Sequence, residues 1–358
     1  MSSSNATTLS PFISIAPGRL CLFGEHQDYL GLPVIAVALP LFCRIQVTPT
    51  TTSSSILTLR FQETTWTVDR EHLPPRQIVQ EGDNLDFMLA ALHEVIDAGW
   101  TIQWGANCLS ETDIPLQSGC SSSSAFCVSW VHVLAMLSHQ SITPIELAKM
   151  AHRAEVVHFA SPGGTMDHVT SALGGILRIG PGMWDFEQLQ PPREGVWVLA
   201  DSGQPKDTLG HLQRCKQGRL DILEQLHGNW DEKSENLSDD ETLLLQATRT
   251  NRNMEQHAFQ EWNTASGQAL GGWMDQHHCA LRDGLHLSTT RLEHMRTAAL
   301  LAGAWGFKVV GSGGGGCGIA WSPNVSVVKV ANAMKGAGAI QTWIVSTPSE
   351  GAHISILA

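Results

Sequence analysis

A chain of 358 residues, 42% hydrophobic and 16% charged, carries enough apolar material for one large or two medium folded domains, which excludes a disordered or fibrous protein. Its net charge of −12 argues against a broad nucleic-acid or anionic-membrane surface, while leaving room for a local anion site built from backbone amides. No run approaches the roughly 18 apolar residues of a membrane span, and the cysteines and histidines form neither CxxC pairs nor zinc spacings, so reduced thiols in a cytoplasmic protein are expected.

The Ser/Thr-rich start, residues 1–10, reads as a frayed tail rather than a signal peptide. Residues 12–21, 34–48 and 56–61 are apolar or β-branched and separated by turn residues, the pattern of strands. Phe87, Leu89, Leu92 and Ile96 lean to one side of a helix over about 84–98, and 101–109 alternates like a strand. The stretch 122–137 is almost free of charge and reads as a buried helix. Thr143 as cap, Pro144 in the first turn and Glu146 as capping-box partner start a further helix running to about 159.

Strands are expected at 174–179 and 196–200, flanking a turn-rich stretch that suits a domain boundary, with one domain over 10–185 and another over 186–358. Residues 207–303 read mainly as helix. The end alternates through strands at 307–310 and 318–321, a helix at 328–334, and strands at 340–345 and 353–357. There is no fixed repeat and no regular βαβα alternation, so the fold class is α+β in two domains rather than a doubly wound sheet.

Three segments carry chemistry. The first, Ala16 to Tyr29, ends a strand in a turn holding Arg19, Glu25, His26 and Asp28. It reads either as a solvated polar turn or as a hydroxyl-binding cluster. Its position between strongly apolar segments favours the second, because charges desolvated without a task are costly. The second runs Pro115-Leu116-Gln117-Ser118-Gly119-Cys120-Ser121-Ser122-Ser123-Ser124 straight into the apolar helix. It is either a serine-rich cap or a loop whose amides and helix dipole take a phosphate. It is neither a Walker A loop nor a nucleophile elbow. The third, Val309 to Gly318, formally satisfies GxGxxG at Gly311, Gly313 and Gly316. It leads into a strand rather than a helix, which argues against a dinucleotide fold.

In this order and at these separations the segments resemble the three motifs of the GHMP small-molecule kinases (galactokinase, homoserine kinase, mevalonate kinase, phosphomevalonate kinase) over about residues 13–320. The first is most similar to the galactokinase signature Gly-Arg-x-Asn-Leu-Ile-Gly-Glu-His-x-Asp-Tyr. Arg19, Gly24, Glu25, His26, Asp28 and Tyr29 match, while Cys21 stands in place of Asn and Phe23 in place of Ile. The resemblance implies that Glu25, His26 and Asp28 bind sugar hydroxyls and that Arg19 sits beside the reacting one. A fourth segment, Pro162 to His168, resembles Pro-Cys-Gly-Ile-Met-Asp-Gln. It puts Gly164 in the substrate site and Asp167 at the catalytic base, with Glu155 and Ser123 as the magnesium ligands. Ser118, Gly119, Cys120, Ser121, Ser122, Ser123 and Ser124 would cradle ATP.

The implied fold is an N-terminal domain like ribosomal protein S5 domain 2 followed by a ferredoxin-like domain. The implied activity is ATP- and Mg²⁺-dependent phosphorylation of a monosaccharide at its anomeric hydroxyl, with no nucleic-acid or membrane partner. Several positions depart from galactokinase: His168 for Gln, Leu30 for Asn, and Gln117 and Cys120 for Gly and Leu. The glycine loop looks more like that of mevalonate kinase. A different aldose, a non-sugar alcohol such as mevalonate, and a non-catalytic sensor on the same fold therefore stand as alternatives.

Overall fold

The computed structural model describes residues 9–50, 54–76, 84–182, 184–205, 208–232 and 237–357; the side chains of 84 and 208–214 and most of the Ser/Thr-rich start lie outside that description. The first half supplies β1 (Phe12–Phe23), β2 (Val34–Pro49), β3 (Ile56–Phe61), β4 (Thr64–Asp69), α1 (Asn84–Asp97), β5 (Ala106–Thr112), α2 (Ser122–Leu137), α3 (Pro144–His152), α4 (Met166–Leu173), β6 (Ile176–Ile179) and β7 (Phe186–Leu189). The second supplies β8 (Val196–Asp201), α5 (Thr208–Gln225), α6 (Asp239–Gln260), α7 (Gly267–Leu285), α8 (Thr290–Leu301), β9 (Gly306–Val309), β10 (Cys317–Ser322), α9 (Val327–Gly336), β11 (Gln341–Val345) and β12 (His353–Ile356).

The strands form two sheets. The larger has the order β12-β1-β2-β5-β3-β4, with β6 also pairing β2 and β7 pairing β6; all its pairs are antiparallel except β3 with β5. Both β7 and the returning β12 thus belong to this sheet: the strand at 186–189 lies past the boundary expected at 185, and the last strand comes back to the first half. The smaller sheet has the order β11-β8-β10-β9, fully antiparallel. Read from β8, its strands run in the ferredoxin-like order four-one-three-two, with α5 to α8 inserted between the first two strands and α9 before the last.

The helix α2 is buried nearly all round, and such a helix must be covered on every side. It packs on β1 and β2 with one side and meets α1, α3 and α4 with the others. The Thr143/Glu146 capping box and Pro144 start α3 as expected, but the helix ends at His152 and continues as one π turn, Arg153–Val157, that carries Glu155. Sequence patterning misses α4, β4 and β7 and starts β5 five residues early. The main core runs from Phe12 through Trp130 to Trp321, so the two sheets share it. A second cluster around Met295, Phe307 and Val330 lies under the smaller sheet.

Candidate active site

A register shift in β1 between Pro17 and Arg19 bends the strand where the first motif begins. The Arg19 amide donates to the Cys120 carbonyl at 3.2 Å, joining this bend to the serine-rich loop. The glycine loop closes on the same loop from the other side: the Cys317 amide donates to the Ser118 carbonyl at 2.8 Å. Gly119 and Gly311 touch backbone to backbone, with φ of +92° and +72°, and a Cβ on either would overlap the other segment. Glycine is required at both positions for that approach. The GxGxxG stretch is therefore a buttress for the serine loop, and it runs on into β10 rather than a helix.

At the mouth of α2, Ser121 takes the left-handed conformation (φ 59°), which turns the chain into the helix N-terminus. Its hydroxyl donates to Oδ2 of Asp167 at 2.6 Å, while Arg19 donates to Oδ1 through Nε at 2.7 Å and Nη2 at 2.6 Å. Burial pushes the Asp167 carboxyl up, but the Arg19 guanidinium and the Ser121 hydroxyl outweigh it and hold it below the usual carboxylate range. Asp28 behaves oppositely. Burial, with the neighbouring Asp167 charge adding to it, raises its carboxyl to about 6 although the Met166 amide donates to Oδ2 at 3.3 Å. A Cβ on Gly164 would overlap the Asp28 carboxylate, so the Gly163-Gly164 turn makes room for it. Two neighbouring carboxyl groups with pKa values pushed apart are suited to different tasks.

Glu155 lies behind the serine loop. Its Oε2 is 2.7 Å from Nε2 of His168, and the Ser123 and Ser124 hydroxyls also bond to it. Burial raises this carboxyl, yet the His168 and serine hydrogen bonds leave it net lowered, hence ionised. An ionised carboxylate within reach of the Ser123 hydroxyl at a helix N-terminus fits a magnesium ion, which takes few protein oxygens and keeps waters.

The remaining first-motif residues line the same cavity as Asp28 and Asp167 and are held from behind by the second half of the chain. Glu25 is paired with Lys308 of β9, Nζ to Oε2 at 2.6 Å. His26 sits at φ 63° with Nδ1 2.9 Å from the Tyr29 hydroxyl and Nε2 3.1 Å from the Gly311 carbonyl. Burial, then the Arg219 charge, lowers its pKa to about 3, so the ring is neutral. The carbonyl only accepts, so Nε2 carries the proton and Nδ1 accepts from Tyr29, whose oxygen in turn accepts from Arg219 Nη2 at 2.6 Å. Both ring nitrogens of His26 are engaged, so the residue ties the first motif to the glycine loop while it also lines the cavity. The Cys120 thiol is buried against that of Cys317, which leaves its backbone as the part it contributes to the serine-rich loop.

Arg19, Glu25, His26, Asp28, Gly164, Asp167, Glu155, Ser118, Gly119 and Ser121 to Ser124 line one cavity of about 590 Å³, together with Phe61, Phe87 and Phe126. Sequence reasoning missed Lys308 and Arg219. A lysine inside the apolar run Phe307 to Val310 was a visible signal for the first; the polar helix around Arg219 offered none.

A serine-rich loop at a helix N-terminus beside an arginine-held carboxylate, on this two-sheet fold, is an arrangement able to hold an anion next to a proton acceptor. The sequence matches the GHMP kinases N terminal domain over residues 87–175, the GHMP kinases C terminal domain over 257–340 and the galactokinase galactose-binding signature over 5–49. The mevalonate kinase of Thermococcus sibiricus (strain DSM 12597 / MM 739) is 27% identical over 336 residues, 91% of this chain and 93% of that protein. The galactokinase of Bacillus subtilis (strain 168) is 25% identical over 342 residues, 88% of this chain and 84% of that one. The crystal structure of Lactococcus lactis galactokinase complexed with galactose shares the fold, with a TM-score of 0.86 at 18% identity over 98% of this chain and 96% of that one. The chain belongs to the GHMP kinases, a family of ATP-dependent small-molecule kinases.

Proposed function

We propose that the chain transfers the γ-phosphoryl group of ATP to the anomeric hydroxyl of a monosaccharide, giving a sugar 1-phosphate and ADP. The observation that carries this reading is the meeting of Asp28, Asp167 and Arg19 with the Ser118 to Ser124 loop in one cavity. The match to the galactose-binding signature supports the sugar. In this reading Asp28, Glu25 and the Gly164 turn hold the non-reacting hydroxyls. Asp167 takes the proton of the attacking hydroxyl as the new O–P bond forms and the bond to the β-phosphate breaks. Arg19 keeps Asp167 ionised and faces the charge of the transferring group, and the loop amides hold the phosphates. Ser123 and Glu155 would hold Mg²⁺, which when bound neutralises phosphate charge.

The second reading, a kinase for a non-sugar alcohol, is favoured by the 27% identity to a mevalonate kinase. One experiment separates the two: the purified protein with MgATP and a panel of monosaccharides and mevalonate, read by ADP release and by phosphorus NMR of the product. Turnover of an aldose with an anomeric phosphate supports the proposal; turnover of mevalonate alone replaces it with the second reading. In either case the free cysteines fit a reaction in the cytoplasm.

A further inference from the structure

Lys308 sits in β9 between Phe307 and Val309, and all three are fully buried. Its Nζ donates to Glu25 Oε2 at 2.6 Å and to the Val309 carbonyl at 2.8 Å. Packing gives no reason for this pair. Removing an ammonium and a carboxylate from water is costly, and apolar residues of the same volume would serve stability at least as well. Glu25, however, also lines the cavity, three positions from Asp28. With Oε2 taken by Lys308, Oε1 is the atom this carboxylate has to offer there. Two further contacts onto the same turn come from the second half of the chain: the Gly311 carbonyl meets His26 Nε2, and Arg219 donates to the His26 carbonyl at 2.7 Å.

We propose that Lys308 is a positioning residue for the acceptor alcohol: it holds Glu25 by one oxygen so that the other meets an acceptor hydroxyl, and the smaller sheet thereby completes a substrate site built mostly on the larger one. This rests on the reading that the cavity beside Asp28 takes the acceptor, whichever alcohol that is. The Lys308 ammonium bonds to Glu25 and to the Val309 carbonyl rather than to the serine-rich loop, so its effect is expected on the acceptor side.

The test compares wild type with Lys308→Met, Lys308→Arg and the double variant Lys308→Met/Glu25→Gln, with galactose as acceptor. Calorimetric titration with ADP serves as a readout that needs no turnover. The expected result for Lys308→Met is a KM for galactose raised about tenfold or more, with the KM for ATP and the ADP affinity within about twofold of wild type. Lys308→Arg, which keeps a cation, should recover part of the loss. The double variant leaves no unpaired buried charge, so it should fold well even if Lys308→Met does not, and it should keep the acceptor defect. A double variant with wild-type KM for galactose would overturn the proposal and make the pair a structural staple; so would an equal loss for ATP and acceptor. Should wild type ignore galactose and phosphorylate mevalonate, the sugar reading falls. The same split, read on the KM for mevalonate, then decides the role of Lys308.

Discussion

Ser121 at the start of α2 donates its hydroxyl to Asp167 at the start of α4, so the loop assigned to the phosphates and the carboxylate assigned to the proton are bonded directly, at 2.6 Å. With Arg19 on the other oxygen, Asp167 is oriented from both sides before any substrate arrives. Preorganisation of this kind avoids reorganisation during the reaction. Asp167→Asn is nearly isosteric but removes the proton acceptor and the charge facing Arg19. We expect kcat to fall by about 100-fold or more with little change in the KM for ATP, the pattern of an interaction used mainly in the transition state. Ser121→Ala should cost less, about tenfold, since Arg19 still holds the other oxygen. Steady-state kinetics checks both. An Asp167→Asn enzyme keeping more than about a third of wild-type kcat would remove this residue from the mechanism.

Asp28 sets a pH dependence that Asp167 does not. Its carboxyl is raised to about 6 by burial and by the Asp167 charge, against an ordinary 3.8, so the folded protein holds this proton more tightly than the unfolded chain. The resulting penalty on stability is absent below the unfolded value, grows as pH rises between the two values, and is complete above about 6. Asp28→Asn removes the penalty. The variant should gain about 1–3 °C in Tm over wild type at pH 8 and lose that advantage as the pH approaches 4. For activity the sign reverses: the ionised group accepts hydroxyls, so acceptor kcat/KM in wild type should fall as pH drops through about 6, and this limb should vanish in Asp28→Asn at a raised acceptor KM. Scanning calorimetry and a pH–rate series test the two halves separately.

If Ser123 and Glu155 share one magnesium ion, Ser123→Ala and Glu155→Gln should each raise the magnesium concentration needed for half-maximal rate by about tenfold. Circular dichroism should show the fold intact, since both substitutions nearly conserve volume and Gln can still hydrogen-bond to His168. Wild-type metal dependence in both variants would move the ion elsewhere in the cavity.

Much of this arrangement was legible in the chain because it is local. The β1 and β2 runs, the charge-free α2 and the Thr143/Glu146 box each announce themselves within a dozen residues or so. Short or exposed elements did not: β7 is exposed over three of its four residues, and α4 is eight residues long behind a Pro-Gly-Gly turn. The site residues were readable as chemical types, but their long-range partners were not. Nothing in the sequence shows that the Gly311 carbonyl, 285 residues away, is a partner of His26. Lys308 went unassigned because its partner is 283 residues distant. Long-range pairing, which local periodicity does not encode, decides which polar groups remain free for a substrate.

Gly164 tests how tightly the acceptor side is built. It needs no unusual φ, so backbone strain is not what requires glycine here; the obstacle to a side chain is the Asp28 carboxylate itself. That carboxylate is short and is held by the Met166 amide, so it cannot swing aside without giving up this hydrogen bond. Gly164→Ala should therefore displace Asp28, raise the acceptor KM by about tenfold and leave the KM for ATP near wild type, because the added Cβ meets Asp28 and the serine loop is bonded to Asp167 instead. Asp28→Ala/Gly164→Ala distinguishes displacement from a general disturbance of the turn. Removing the carboxylate clears the space, so the double variant should regain the Tm lost by Gly164→Ala while its acceptor KM stays as high as that of Asp28→Ala alone. Strictly additive losses in both Tm and KM would show that the two residues do not compete for the same space, and the assignment of Gly164 as the residue that seats Asp28 would fall.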